Sequence, residues 1–219
     1  MNWKHLRHFS WLDTRARFVN TTPPSGSLLD IGSSDGETLG HFAELRPDLK
    51  FFSTDLAGTP EKYPHGCQFF RANVQKDKLP WPDASMDRIT CMHLVEHLAS
   101  LDFFFQEMAR LLKPGGRIYI ETPHPKTLVL SSPIEAKMGT VAMNFYDDGS
   151  HTKPVTVGAL AQFFRAVQLE VLDGGVSRNW LFAAAYPFYY FALSSRKKFT
   201  ARAHWIGWSA YLVAEPSKK

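Results

Sequence analysis

The feature that most constrains this 219-residue chain is an apolar stretch that runs into a glycine loop, Leu28 to Gly36 (LLDIGSSDG). Residues 27–31 are predicted to form a short buried strand, and Leu39, Phe42 and Leu45 then recur at helical spacing. Glycines at such a junction let a ligand approach the backbone, and the start of a helix offers free amides. The stretch therefore predicts a ligand site between a first strand and a first helix.

The rest of the chain repeats this alternation of strands and helices. Helical faces are predicted over 101–112 and after Thr156, and the hydrophobic content of 44% suits one globular domain. The alternation is typical of a mostly parallel sheet covered on both faces, with ligands bound at the carboxyl ends of its strands. Further strands are predicted at 51–54, 67–71, 86–92, 117–121, around Leu169 and Val171, and at 208–214.

The loop and the residue that ends the second strand restrict the kind of ligand. Asp55 stands where an acid can accept hydrogen bonds from ribose hydroxyls. Ser34 and Glu37 occupy positions where the dinucleotide fingerprint needs glycine, and no Gly-Lys-Ser/Thr follows as in a phosphate-binding loop. Asp30 and Asp35 would repel a pyrophosphate but would attract a cation such as the sulfonium of S-adenosylmethionine.

Several motifs in succession resemble those of the class I S-adenosylmethionine-dependent methyltransferases. LLDIGSSDGETL resembles their first motif, usually D-x-G-x-G-x-G, STDL resembles the second motif, and FRANV resembles the third. The segments LPWPDASMDRITCMHLVEHL and ARLLKPGGRIYIETP resemble the surroundings of the fourth strand and the fifth-strand hairpin. Together they cover most of residues 27–123 in the expected order. Ser34 departs from the pattern, because the family has its middle glycine there, but a small residue still fits.

This resemblance implies an α/β, Rossmann-like three-layer sandwich, with a seven-stranded, mostly parallel sheet whose last strand is antiparallel. We expect a single methyltransferase domain over 1–219, with an N-terminal helix at 1–20 and a cofactor-binding half at 27–123. The acceptor-side half at 124–219 is expected to contain a helical insert at about 179–200.

The resemblance also implies S-adenosylmethionine as the cofactor and S-adenosylhomocysteine as its product. Asp55 would bind the ribose, Asn73 would stand near the adenine amine, and His93 would contact the methionine part. The cofactor-binding residues expected on this basis are Asp30, Gly32, Ser33, Ser34, Gly36, Asp55, Leu56, Asn73, Val74 and His93.

The stretch His93 to His97 (HLVEH) has a second interpretation. H-x-x-E-H is the pattern of an inverted zinc-protease helix, in which His93 and His97 would both be ligands. No further ligand is marked in the sequence, and the stretch directly follows a buried strand, so no metal site is predicted. The resemblance places Glu96 and His97 instead at the start of the next helix.

A long segment, 124–153, follows the fifth strand, and long loops at this edge usually carry function. Its end, FYDDGSHTKPVTVGAL, resembles the small-molecule and glycan-type members of the family, close to methyltransferase type 11. A hydroxyl acceptor must lose its proton, and imidazole titrates near neutrality. His151 is therefore the leading candidate for the general base and His97 the second. Asp147 and Asp148 could bind a metal, but the adjacent Gly149 favours a solvated turn.

Two outer segments are also apolar. Leu6, Phe9, Leu12, Ala16 and Val19 recur at the spacing of an amphipathic N-terminal helix. The segment 180–193 (WLFAAAYPFYYFAL) is too short to span a membrane. A helical insert packed on the sheet is favoured there. The alternative is an interfacial membrane helix, which the following basic residues, Arg196, Lys197 and Lys198, would support.

The predicted function is methyl transfer from S-adenosylmethionine to a small-molecule or glycan acceptor, at an oxygen. One alternative is an RNA methyltransferase, which the net charge of only +4 disfavours. The absence of an asparagine-proline-proline-aromatic motif after the fourth strand disfavours amino-group methylation of bases but leaves other RNA targets open. Others are a membrane-associated enzyme with a lipid-linked acceptor, and a binding module without turnover. Two cysteines and the absence of a signal peptide favour a cytoplasmic protein, and the oligomeric state is left open.

Overall fold

A computed structural model describes residues 3–133 and 142–217 of the chain. Each strand predicted from the sequence is present, with small changes at its ends. The strands are β1 (Ser27–Ile31), β2 (Lys50–Asp55), β3 (Gln68–Arg71), β4 (Met86–Met92), β5 (Leu112–Pro123), β6 (Leu169–Ser177) and β7 (Ser209–Pro216). They form one sheet in the order β3-β2-β1-β4-β5-β7-β6. The first five are parallel, and β7 runs antiparallel between β5 and β6, which confirms the predicted fold class.

Helices cover both faces of the sheet. They are α1 (Thr14–Asn20), α2 (Glu37–Leu45), α3 (Asp102–Leu111), α4 (Val157–Ala166), α5 (Trp180–Tyr189) and α6 (Arg196–Ile206). On one face, Phe105 of α3 and Phe164 of α4 belong to the same core as Ile118 of β5. On the other face, Phe42 of α2 packs in a second core with Tyr119, the next residue of β5. Successive residues of a strand point to opposite faces, so β5 serves both cores.

The predicted N-terminal helix is present as three short helical segments, Trp3–Arg7, Ser10–Leu12 and α1. Asp13 divides the last two because it adopts an extended conformation and its carboxylate accepts a hydrogen bond from Ala16 N (2.9 Å). This is the geometry of a helix N-cap. Asn179 Nδ2 donates to the other oxygen of the same carboxylate (2.8 Å). Phe9, which a continuous helix would bury, is 55% exposed.

The hairpin into β5 differs from the expected helix stop followed by a separate strand. Lys113 to Gly116 already belong to β5, and the register against β4 shifts between Met86 and Arg88. A Cβ on Gly116 would lie 2.9 Å from two carbonyl oxygens, those of Lys113 and Met86. Only glycine therefore allows the two backbones to approach so closely at this point.

The predicted helical insert consists of α5 and α6, which pack against each other. α5 contains Pro187, and α6 begins after Ser195, whose hydroxyl caps the amide of Lys198. Within residues 3–133 and 142–217, every helix falls short of the length and apolar character that crossing a bilayer requires.

Candidate active site

The loop between β1 and α2 has a left-handed backbone at three positions. Gly32, Ser34 and Gly36 have φ angles of 78°, 47° and 78°. A Cβ on Gly36 would lie 2.3 Å from the ring of Tyr63, so glycine is required there for space as well as conformation. Ser34 adopts the conformation that the family's middle glycine would take, although a side chain makes this conformation costly.

Tyr63 fixes this loop through two hydrogen bonds of its hydroxyl. Its hydroxyl hydrogen-bonds Ser33 Oγ (2.9 Å) and donates to the carbonyl of Ser34 (2.9 Å). Burial raises the pKa of the phenol, so the group remains a donor. Sequence analysis missed this residue because it lies in an irregular segment, 27 positions beyond Gly36, with no motif around it.

Asp55 and Asn73 lie at the same edge of the sheet as the loop. The carboxylate of Asp55 accepts hydrogen bonds from Ser34 N (2.9 Å) and Ala57 N (2.7 Å), which fix it beside the loop. Ala72 N donates to the carbonyl of Asp55, and this bond places Asn73, the next residue, close to Asp55. Leu56 is 66% exposed next to Asp55, whereas Val74 is buried. The residues predicted to meet the ribose and adenine are therefore neighbours in space.

Asp30 lies under the loop at the end of β1. Its carboxylate is buried and accepts a hydrogen bond from Thr90 Oγ1 (2.7 Å). Burial raises the pKa of Asp30 to about 7, against the opposing effects of Thr90 and the charge of Arg15. Asp30 is consequently a weaker source of negative charge at neutral pH than the sequence alone suggested.

His93 leaves β4 in a left-handed conformation, with φ of 52°. Its Nδ1 lies 3.2 Å from Glu96 and its Nε2 lies 3.1 Å from Glu121. Burial alone would lower the pKa of His93, but the two carboxylates raise it to about 9. Both ring nitrogens therefore act as donors at neutral pH, and His93 is an imidazolium at the carboxyl end of the fourth strand.

Glu121 joins His93 to the N-terminal segment. Arg15 Nε donates to its carboxylate (2.9 Å), as does Tyr119 Oη (2.8 Å). Burial opposes ionisation of Glu121, yet the cations of Arg15 and His93 hold its pKa well below the usual range. This buried network was not predicted, because Arg15 and Glu121 are 106 positions apart and each lies in an ordinary helix or strand pattern.

His97 and His151, the two candidate bases, lie side by side, with ring centroids 4.8 Å apart. His97 Nδ1 donates to the carbonyl of Ser150 (3.2 Å), and His151 Nδ1 donates to that of Phe145 (2.6 Å). Thr152 N donates to the carbonyl of Glu96, and this bond attaches the segment before α4 to the segment after β4. In each neutral ring, Nε2 is then the nitrogen that can accept a proton.

The structure alters both interpretations of HLVEH. His93 and His97 do not share a helix face, since only Val95–His97 form a short 3-10 turn and α3 starts at Asp102. Glu96, His97 and His151 instead offer ligand atoms that all lie within 4.8 Å of one another. This cluster does not include His93, so it differs from the ligand set of the zinc-protease pattern.

The acidic pair before His151 is part of a turn. Asp147 accepts from the amides of Met143 and Asn144 (2.8 Å each), and Asp148 accepts from Ser150 N (2.9 Å). These contacts agree with the interpretation of the pair as turn residues.

A cavity of about 840 Å³ opens beside Arg15 and the start of α2. Arg15 in its wall links it to Glu121 and His93, and Glu37 and Thr38 bring in the start of α2. The remaining wall comes from Trp3 and Asp13 of the N-terminal segment, His41 of α2, the end of β6 at Ser177, and the insert. The insert lines it with Asn179, Leu181, Phe182, Ala185, Tyr189, Arg196, Lys197, Thr200 and His204.

Comparison with known proteins places this site in a family. A family model described as a methyltransferase domain matches residues 3–173. The chain belongs to this methyltransferase family. Membership confirms the family, the fold and the cofactor, S-adenosylmethionine, that the motifs predicted. The match extends beyond the motif region 27–123 on both sides, because it includes α1 and most of β6.

Individual relatives of this methyltransferase are distant. It is 26% identical to a ubiquinone biosynthesis O-methyltransferase of Paracidovorax citrulli over 74% of this chain and 69% of that protein. It is 32% identical to the biotin biosynthesis bifunctional protein BioHC of Cellvibrio japonicus over 47% of this chain and 20% of that protein. The chain spans about half or less of the length of most curated relatives it matches.

A solved S-adenosylmethionine-dependent methyltransferase from Mesorhizobium loti has the same fold. Its TM-score is 0.65 at 16% identity, over 95% of this chain and 97% of that one. None of these comparisons assigns a role to an individual residue, so the cofactor-binding and catalytic residues stay predictions.

Proposed function

We propose that this protein transfers the methyl group of S-adenosylmethionine to an oxygen atom of a small-molecule acceptor. The observation that carries the proposal is the meeting of the left-handed loop, Asp55, Asn73 and His93 at the carboxyl ends of four neighbouring parallel strands. Ligands of such sheets bind at this edge.

In the proposed complex the cofactor lies along the edge from β3 to β4. The ribose hydroxyls donate to Asp55, and the adenine covers the exposed side chain of Leu56 beside Asn73 and Val74. The methionine part follows the loop of Gly32 to Gly36 towards His93, whose ring nitrogens are held by Glu96 and Glu121. Asp30, buried at the end of β1, supports the conformation of the loop.

Methyl transfer is an in-line displacement in which an acceptor oxygen forms a bond to the methyl carbon while the carbon–sulfur bond breaks. Alignment of the three atoms and exclusion of water supply most of the acceleration. The acceptor hydroxyl loses its proton to Nε2 of His151, with His97 beside it as the second candidate. The electron pair of the broken bond stays on sulfur, so neutral S-adenosylhomocysteine is released.

The cavity next to Arg15 is our proposed acceptor site. His97 and His151 do not line this cavity, so the acceptor hydroxyl must extend from it past Arg15 and His93 to reach them. Its volume fits a small molecule or a short glycan and is too small for a folded RNA. One relative is named as a ubiquinone biosynthesis O-methyltransferase, which supports a hydroxylated ring compound as the acceptor. Location in the cytoplasm stays a prediction.

Calorimetric titration with S-adenosylmethionine tests the cofactor site. The wild type should bind one equivalent, and Asp55→Ala should weaken binding by about tenfold or more, because charge-assisted hydrogen bonds to the ribose are lost. Glu61→Ala, which removes an exposed acid nearby in sequence, should bind normally. Absence of binding by the wild type would refute the proposal, and unchanged binding by Asp55→Ala would refute the ribose assignment.

Transfer of a labelled methyl group to 3,4-dihydroxybenzoate tests the reaction. His151→Gln should reduce turnover by about a hundredfold or more while affinity for the cofactor is kept. His97→Gln should have the smaller effect. If His97→Gln abolished turnover and His151→Gln did not, the order of the two bases would be reversed. Transfer to aniline in place of the phenol would contradict oxygen as the acceptor atom.

A further inference from the structure

The end of α5 and its connection to α6 expose three large apolar side chains. Phe188, Phe191 and Leu193 are 86%, 91% and 91% exposed, and we call them the apolar tip. Contiguous exposed side chains of this size usually mark an interaction surface. The tip has a defined backbone, because Lys198 Nζ donates to the carbonyls of Tyr190 (2.9 Å) and Ala192 (2.7 Å).

The charges that the insert itself carries are of one sign, and the acid that meets them from outside is Glu37 of α2, which pairs with Arg196 (3.2 Å). Between Asp173 and Glu215 the sequence contains no acidic residue. The same stretch carries five cations, Arg178, Arg196, Lys197, Lys198 and Arg202, of which four belong to α6 directly after the tip. A protein partner would account for the exposed apolar side chains but not for the basic residues beside them. An anionic bilayer accounts for both, because it has a layer of negative charge above an apolar interior.

We propose that the apolar tip inserts into the interfacial region of an anionic phospholipid bilayer, while Lys197 and Arg202 of α6 contact the lipid phosphates. α5 has ten residues and does not cross the bilayer. It would lie at the surface as an interfacial helix, with Phe188, Phe191 and Leu193 below the headgroups.

The position of the tip also indicates the class of acceptor, and this step rests on the proposed function. Leu181, Phe182 and Tyr189 of α5 line the proposed acceptor cavity, as do Arg196 and Lys197 of α6. The same two helices therefore form the apolar tip and the cavity wall. An acceptor whose hydroxylated headgroup carries an apolar chain can enter the cavity while its chain remains in the bilayer.

Sedimentation with vesicles tests the docking surface in the full chain. The wild type should bind vesicles of phosphatidylcholine with about 30% phosphatidylglycerol at least tenfold more tightly than pure phosphatidylcholine, and less tightly as salt increases. The triple variant F188S/F191S/L193S and the charge variant K197Q/R202Q should each weaken binding by about tenfold. Val129→Ser, which removes an 85% exposed apolar side chain outside the tip, is the matched control and should bind normally.

Three results would overturn docking on a membrane. They are failure of the wild type to bind anionic vesicles, equal binding by the triple variant, and a dimer in gel filtration that the triple variant dissociates. Calorimetry with S-adenosylmethionine on the same variants separates this inference from the proposed function. The triple variant should bind the cofactor normally, whereas a wild type that binds vesicles but no cofactor would refute the proposed reaction alone.

Discussion

At the scale of single residues, the site depends on backbone conformations that most residues avoid. Ser34 and His93 both have positive φ angles, one in the glycine loop and one at the end of β4. Each is held by hydrogen bonds to its surroundings, Ser34 through Asp55 and Tyr63, and His93 through Glu96 and Glu121. Substitutions at these positions thus test conformation and charge separately.

Ser34→Gly should raise the free energy of unfolding by roughly 0.5–1 kcal/mol. Glycine relieves the left-handed conformation, and this gain exceeds the entropy that a flexible residue costs. Ser33→Gly is the matched control at the neighbouring position, where φ is not positive, and it should lower stability by about 1 kcal/mol with the loss of its hydrogen bond to Tyr63. Urea denaturation measures both, and a destabilised Ser34→Gly would contradict the strain argument.

His93 should make the protein less stable as pH rises. Its pKa is raised from 6.5 to about 9 in the folded protein, so the stabilisation is complete below pH 6.5 and disappears as pH passes 9. The change should amount to at most roughly 3 kcal/mol relative to His93→Gln, which cannot titrate. Denaturation midpoints between these pH values provide the measurement, and parallel curves for the two proteins would count against an imidazolium at this position.

The bases His97 and His151 should work without a metal, even though Glu96 brings a carboxylate close to both. We expect no stoichiometric metal in the purified protein and no loss of methyl transfer on treatment with a chelator, since Nε2 of His151 must be free to accept the proton. Elemental analysis and chelation test this expectation. Loss of activity that added zinc restores would assign the three side chains to a metal site instead.

At the scale of elements, Asp13 connects α1 to the strand β6 and the insert. Asp13→Ala should lower the free energy of unfolding by about 2 kcal/mol, because it removes the N-cap of α1 and the hydrogen bond from Asn179. Asp13→Asn keeps a capping oxygen but faces Asn179 with an amide, so its effect should be intermediate. A loss below about 0.5 kcal/mol for Asp13→Ala would mean that the cap contributes little.

Local patterns predicted the elements and the glycine loop, and they failed where distant residues decide the structure. Residues 27–31 and 86–92 are short stretches that include apolar or β-branched residues, and each is followed by a loop, which predicts buried strands in such a chain. Asn179, 166 positions away, joins the break at Asp13 to the insert, and packing of α1 on β5 forms the Arg15–Glu121 pair. His151 was predicted from its family pattern, but its contact with His97 depends on a loop that no periodicity describes.

At the scale of the whole molecule, binding of the cofactor should stabilise the fold. A concentration of S-adenosylmethionine about a hundredfold above its dissociation constant adds about 2.7 kcal/mol, which corresponds to an increase of roughly 5–10 °C in Tm for a chain of this size. S-adenosylhomocysteine should act similarly. Asp55→Ala, with an affinity about tenfold lower, should gain only about 1.4 kcal/mol at the same concentration, about half of the increase in the wild type. A full increase in that variant would refute the role of Asp55.

The place of β7 in the sheet has a consequence for synthesis of the protein. β7 lies between β5 and β6 and pairs with residues 118–123 of β5 and with β6 along its length. While a ribosome is still making the chain, β5 therefore presents an open edge and β6 has no neighbour, until residues 209–216 emerge. Unpaired strand edges are templates for association with other chains. The nascent protein should need a chaperone most during the interval between completion of β5 and release of β7.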